Sequence, residues 1–412
     1  MERYSSYKDS NVSWIGEIPS HWKLPSIGRL FEIKAGGDAK PELYSYEKDT
    51  DHPYPVYTNT KDPKSVYAYT TTPIFEANTI TVTGRGEIGR AIFRGVPYDA
   101  IIRLLSLRPK IKLCPKFYAY FIDVVIPFTS DSAAIGQLSA VQIKPKSVTL
   151  PPLAEQEKIV SYLESKTSKI DAYVADKEKE IQLLQELKQK TIADAVTKGL
   201  NPDVKMKDCR TTFFGQIPAH WEERKMKYCF TERSEKNHPE EPILCATQSQ
   251  GVIPQSMYQN RVVVVNKGFE GLKFVKVGDF VISLRSFEGG IEYAYYQGII
   301  SAAYTILTPV DAAYTEYYKY LFKSYPFIQV LQTCVTGIRE GQNINYQMLG
   351  RKFFPLPPID EQLEIESYIK GKTQKIETLI TELQAEIDYL KEYKQRLIAD
   401  VVTGQVNVQN LI

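Results

Sequence analysis

Residues 150–200 read LPPLAEQEKIVSYLESKTSKIDAYVADKEKEIQLLQELKQKTIADAVTKGL, and residues 356–406 read LPPIDEQLEIESYIKGKTQKIETLITELQAEIDYLKEYKQRLIADVVTGQV. Aligned without a gap, the two stretches agree at 23 of 51 positions, so the chain carries one segment twice. Each opens with Leu-Pro-Pro, which holds an extended entry, and acidic residues follow where a helix dipole favours them. In the first copy Ile159, Leu163, Ile170, Val174, Ile181 and Leu184 recur at spacings of three, four and their multiples. Lys198, Gly199 and Pro202 then supply a cation, a glycine and a proline as a stop. In the second copy Asp360 is the expected N-cap, and Ile365, Ile369, Ile376, Ile380, Leu383, Ile387, Leu390, Leu397 and Val401 form the stripe. A helix of about 45 residues spans roughly 65–70 Å, too long for one small domain. A stripe this narrow buries itself against another helix.

Working outward, a second duplication precedes each copy. Trp14-Ile15-Gly16-Glu17-Ile18-Pro19-Ser20-His21-Trp22 matches Phe213-Phe214-Gly215-Gln216-Ile217-Pro218-Ala219-His220-Trp221. The expected architecture is therefore α+β: two similar α/β globular domains joined by two long antiparallel helices in a coiled coil, with a pseudo-twofold internal repeat. The expected boundaries are a loose polar tail at 1–10, a first module at 11–149, a spacer helix at 150–205, a second module at 206–355 and a second spacer helix at 356–412.

Within the first module, β-branched and aromatic runs at 53–57, 79–83 and 100–107 read as strands, and 115–125 reads as a helix. The second module repeats the pattern, with strands at 261–265, 279–284 and 303–307 and a tyrosine-rich helix at 315–322.

At 412 residues, with 43% hydrophobic and 24% charged residues, the chain has an ordinary globular composition and room for two cores. The net charge of +2 excludes nothing, because patches rather than totals report on partners. Five scattered cysteines, with no CxxC pair, argue for reduced thiols and against a disulfide frame or zinc site. The polar start and the lack of a long apolar run predict a cytoplasmic protein, neither exported nor membrane-spanning.

The nucleic-acid signals sit in the modules. Residues 83–112 carry seven basic and two acidic side chains, and the stretch from Thr83 to Arg94 interleaves Gly84, Gly86 and Gly89 with Arg85, Arg90 and Arg94. Glycines admit close backbone approach, and arginines fork onto phosphates or guanine edges. The second module offers Arg261, Lys267, Lys273 and Lys276, then Ser283-Leu284-Arg285-Ser286-Phe287-Glu288-Gly289-Gly290. The residues expected to contact DNA are Arg85, Arg90, Arg94, Arg261, Arg285 and Ser286. Turn glycines and solvated strand faces would explain any one of them equally well. His21 and His220, flanked by tryptophan and proline, read as packing residues, as do Tyr293, Tyr295, Tyr296, Tyr317, Tyr318 and Tyr320. Asn201-Pro202-Asp203 is not the Asn-Pro-Pro-aromatic motif of amino-methyltransferases, and neither a Walker A loop nor a nuclease or Ser/Cys–His set is present.

The paired Leu-Pro-Pro-x-x-Glu-Gln openings, the two Ile-Pro-x-His-Trp elements, and Ser283–Gly290 followed by 298–304 resemble the specificity subunit of type I restriction–modification systems. The resemblance covers nearly the whole chain. It implies a non-catalytic subunit without a cofactor, whose two target recognition domains each read one half of a bipartite double-stranded DNA site. It implies that the helices set the gap and dock methyltransferase subunits, and that motor-endonuclease subunits join the full complex. Adenine methylation from S-adenosylmethionine and ATP-driven cleavage would belong to those partners. Half-sites read from one face of B-DNA lie about one turn, ~34 Å, apart. Two rivals remain: a coiled-coil scaffold with two protein-binding heads, and a DNA-modifying enzyme whose catalytic residues are not recognisable.

Overall fold

The computed structural model describes residues 2–410 apart from 61, 63, 129–136, 259–267, 312–314 and 337–342. The chain divides into two compact units: unit 1 is 1–178 with 385–412, and unit 2 is 179–384. Each unit therefore holds one mixed α/β module, half of one long helix and half of the other.

Unit 1 is centred on a four-stranded antiparallel sheet of β1 (Phe31–Ala35), β2 (Thr79–Val82), β3 (Ala91–Arg94) and β4 (Leu105–Pro109), in the order β1-β4-β2-β3. Helix α1 (Pro115–Val124) lays Phe117, Tyr118, Phe121 and Ile122 into the core, with Pro115 at its first position where no amide hydrogen is needed. A smaller sheet is formed by Tyr44–Ser45, Ala68–Thr70, Tyr54–Tyr57 and Asp99–Ala100. The strand expected over 100–107 is split. Ile102 and Arg103 take left-handed conformations, so the chain leaves the small sheet at Ala100 and enters the main one at Leu105.

The first long helix, α2 (Leu153–Lys198), runs 46 residues. Its N-terminal half places Ile159, Val160 and Leu163 in the unit 1 core. Its C-terminal half places Ile192 and Val196 in the unit 2 core.

Unit 2 is built on β5 (Phe230–Arg233), β6 (Leu244–Thr247), β7 (Gly251–Pro254), β8 (Phe280–Ile282), β9 (Glu292–Tyr293) and β10 (Thr305–Pro309). Its main sheet has the order β5-β10-β8-β9, the same path as in unit 1, while β6 and β7 form a separate hairpin. Helices α3 (Thr315–Leu321) and α4 (Tyr325–Gln332) bury Tyr317, Tyr318, Leu321, Phe327 and Val330 against it. Strand 261–265 expected from sequence lies outside the described residues.

The second long helix, α5 (Ile359–Val402), starts one residue before Asp360, which therefore sits inside the first turn and is not the cap. Ile365 and Ile369 enter the unit 2 core, and Leu397, Ile398, Val401 and Val402 enter that of unit 1. Within unit 1, Asp171 pairs with Lys394 at 2.6 Å and Lys177 with Glu386 at 3.5 Å, so the two half-helices run antiparallel. Within unit 2, Lys188 bonds Glu377 at 2.5 Å.

The polar start is not a loose tail. Tyr7–Asp9 pairs with Glu17–Pro19, and Lys8 Nζ donates to the carbonyls of Ser20 and Trp22. Unit 2 repeats this with Met206–Asp208 on Gln216–Pro218 and Lys207 Nζ on the Trp221 carbonyl. The duplication thus begins before Trp14, hidden because only the Lys-Asp pair survives in identity. All five cysteines are free thiols.

Candidate nucleic-acid interface

Each module is locked to a helix N-terminus by the duplicated motifs. In unit 1 the Trp22 indole donates to Glu155 Oε2 at 3.0 Å, and His21 Nε2 lies 2.8 Å from Glu155 Oε1. In unit 2 Trp221 donates to Glu361 Oε2 at 2.7 Å and His220 pairs with Glu361 Oε1. Hydrogen bonds to a charged partner contribute roughly 1.5–3 kcal/mol each. Behind the carboxylates, Gln156 and Gln362 donate to the carbonyls of Pro151 and Pro357, which ties each Leu-Pro-Pro entry to its helix. The opposite helix end closes on the same tryptophan. Left-handed Gly404 lies against Pro19 and Trp22, and left-handed Gly199 against Trp221, with no open space for a side chain at either. His21 and His220, read from sequence as packing residues, are half-exposed side chains that latch each module to a helix through a glutamate. Beside the second latch unit 2 leaves a cavity of about 320 Å³ lined in part by Lys198, Asn201, His220 and Glu364. In unit 1 Tyr4 reaches the latch carboxylate instead, at 3.3 Å.

The arginine-rich stretches picked from sequence fall on one and the same connection of the two sheets. Residues 83–90 join β2 to β3 in unit 1, and 283–291 join β8 to β9 in unit 2. Arg85 and Arg285 each stand three residues beyond the end of the preceding strand, and both are exposed. A hydroxyl shapes each turn. Thr83 Oγ1 donates to the Glu87 carbonyl and accepts from the Arg90 amide, while Ser286 Oγ accepts from the Ser283 amide at 2.8 Å.

The loops are pinned by different groups. Asn59 Oδ1 accepts from the amides of Gly84 at 2.7 Å and Arg85 at 3.2 Å, and its amide donates to the Ile102 carbonyl. The Arg85 guanidinium rests on Gln137 Oε1, with Nη2 at 3.0 Å. In unit 2 the pin is Lys323, whose ammonium reaches the carbonyls of Gly289 at 2.9 Å and Gln248 at 3.2 Å and pairs with Glu292. Burial pushes the Glu292 carboxyl up to about 7 against the opposing pull of Lys323.

The other expected contact residues fare differently. Arg94 is only 4% exposed: its guanidinium stacks over the Tyr57 ring at 3.5 Å and donates to Thr81, so it serves the interior. Burial also draws its basicity down. Ser286 is 1% exposed and spent on its own turn. The two corrections have different causes: Arg94 ends a strand and turns inward onto Tyr57, whereas the Ser286 hydroxyl closes the turn that follows β8. Arg90 is one-third exposed and anchors its loop to α1 through Asp123 at 2.8 Å, a carboxyl that burial raises. Arg261 lies outside the described residues, as does Lys267. Tyr317 and Tyr318 are buried in the core, and Tyr295 and Tyr296 are exposed at the surface. Among the described residues no group of three or more His, Cys, Asp or Glu could hold a metal ion, and no helix is long and apolar enough to cross a membrane.

Residues 19–183 match the family model for the type I restriction modification DNA specificity domain. Similar curated proteins carry type I specificity-subunit names. S.MpnORF89P of Mycoplasma pneumoniae is 28% identical over 165 residues, 40% of this chain and 48% of its own length. The MjaX chain of Methanocaldococcus jannaschii is 24% identical over 440 aligned positions, 98% of each chain. The chain spans about half the length of the Mycoplasma relative and nearly all of the archaeal one. Among solved structures, a chain from a study of complex assembly and conformational transition of the type I R-M system superposes with a TM-score of 0.67 at 15% identity. That likeness covers 94% of this chain and 99% of the other, and establishes the fold.

Proposed function

We propose that the chain, which is similar to type I restriction–modification specificity subunits, reads one half of a bipartite double-stranded DNA site with each of its modules. The observation that carries this reading is the equivalence of Arg85 and Arg285: the same loop of the same sheet, in two units, exposes an arginine at the same step. An arginine fork matches guanine O6 and N7 in the major groove, or a phosphate that fixes register. The loops around the two arginines differ in sequence and in their pins, which supports two different half-sites. Arg90 acts here through Asp123 as a loop anchor.

In this reading the chain performs no chemistry. Methyltransferase subunits dock on the helices, where Leu183, Leu187, Leu379 and Tyr389 are exposed apolar side chains. They would transfer the methyl group from S-adenosylmethionine to adenine, and motor-endonuclease subunits would join them for cleavage. The two helices fix the unread gap between half-sites.

The test is a map of methylated adenines in cells carrying the wild type, Arg85→Ala, Arg285→Ala or no chain. Loss of a bidentate base contact costs about 1–3 kcal/mol of discrimination. The two variants are expected to relax opposite halves of the motif, and the motif should vanish without the chain. Relaxation of the same half by both variants would contradict the two-reader arrangement. A motif that survives deletion of the chain would remove DNA specificity as its function.

A further inference from the structure

The hairpin of unit 2 carries a group of residues that the arginine pattern does not include. Strands β6 and β7 meet in the turn Gln248-Ser249-Gln250, all three exposed. Thr247 staples this turn, its hydroxyl donating to the Gly251 carbonyl at 2.9 Å and accepting from the Gln250 amide at 3.0 Å. The turn abuts the β8–β9 connection: a β-carbon on Gly289 would lie 2.9 Å from the Gln248 side chain. One ammonium joins the two segments, since Lys323 Nζ takes the carbonyls of Gln248 and Gly289 together.

We infer that Gln248, Gln250 and Arg285 form the base-reading edge of unit 2, and that the Lys323–Glu292 pair is the positioning device that holds this edge in register. The inference rests on the DNA-reading function proposed above and deepens it for one half-site. A two-stranded ribbon fits the major groove, where a glutamine amide pairs with adenine N6 and N7 and an arginine with guanine O6 and N7. A site of this kind needs its supporting shell fixed to within about half an ångström. Lys323 meets that need by making one body of two turns that are 41 residues apart at Gln248 and Gly289.

The cost of the device is visible. Glu292 is 3% exposed, and its Oε2 has no hydrogen-bond partner among the described residues. A buried ion pair is weak as a source of stability and is better explained by what it positions. Space is equally constrained at left-handed Gly290, where a β-carbon would meet the Phe322 carbonyl at 2.1 Å. Among the described residues the corresponding loop of unit 1 is pinned by Asn59 rather than by an ammonium.

The experiment uses the full chain with its own partners in its own cell, with methylated adenines mapped genome-wide. Gln248→Ala and Gln250→Ala stand on an exposed turn and should leave the fold intact. Each is expected to reduce discrimination about 10-fold at a base of the half-site that Arg285→Ala also relaxes, with the other half unchanged. Lys323→Met should relax those same bases, while Lys323→Arg should restore most of the preference. A wild-type map without a bipartite motif would overturn the DNA-reading function itself. A normal wild-type motif that both glutamine variants leave untouched would overturn this inference alone. A uniform fall in methylation with base preference intact in Lys323→Met would make Lys323 merely structural and remove it as the positioning residue.

Discussion

Glu155 in unit 1 and Glu361 in unit 2 each take a tryptophan N–H and a histidine nitrogen from the same motif, yet the loops carried by the two modules are pinned by unrelated chemistry. A neutral amide, Asn59, holds the loop of Arg85 through its backbone N–H groups. A charged amine, Lys323, holds the loop of Arg285 through a carbonyl and a buried carboxylate. The lesson is a division of labour. The latch joins a module to a helix and must be the same wherever that join occurs, whereas the loop pins shape whatever each module contacts.

The strongest way to break this comparison is at the latch. Trp22 and Trp221 are 0% and 1% exposed, and truncating such a residue costs about 3–5 kcal/mol. Trp221→Ala should therefore expose unit 2 to hydrogen exchange while the unit 1 amides stay protected, and Trp22→Ala should do the reverse. Equal loosening of both units by either variant would show that the latches do not act locally.

Next in size is a pH effect confined to unit 2. The folded-state pKa of Glu292, about 7, lies above its ordinary 4.5. The native state thus holds the proton longer, and the stability this contributes is complete below about pH 4.5 and lost as pH rises through 7. The loss amounts to at most about 3 kcal/mol. Thermal melts of the wild type and Glu292→Gln from pH 5 to pH 8 should differ in slope, with the variant flatter. Parallel slopes would place Glu292 in a more solvated setting than the one described.

The smallest effect sharpens the comparison along the helices. Lys394–Asp171 in unit 1 and Lys188–Glu377 in unit 2 are solvent-facing pairs, worth roughly 0.2–1 kcal/mol and weakened by salt. Double-mutant cycles should return similar small couplings in both, against the large asymmetry expected at the loop pins.

Much of the fold was legible because it is written twice. The three-and-four spacing of Ile159, Leu163, Ile365 and Ile369 dictates helices, and the repeated Ile-Pro-x-His-Trp marks where each module meets its helix. Local rules failed where tertiary structure decides. The left-handed pair Ile102 and Arg103 interrupts an apolar run that reads as one strand. The candidate site was half legible: composition pointed to two loops that prove to be equivalent connections of the two sheets, but residue type could not tell exposed Arg85 from buried Arg94, since that burial depends on Tyr57 of the small sheet. The link of Lys323 to Gln248 and Gly289 spans 75 and 34 residues, beyond the reach of any periodicity.

The most direct measurement exchanges residues 11–149 for the first module of a type I specificity subunit and maps adenine methylation in cells. The account predicts a motif in which one half is replaced, while the other half and the gap length stay as they were. A motif altered in both halves, or in neither, would contradict it.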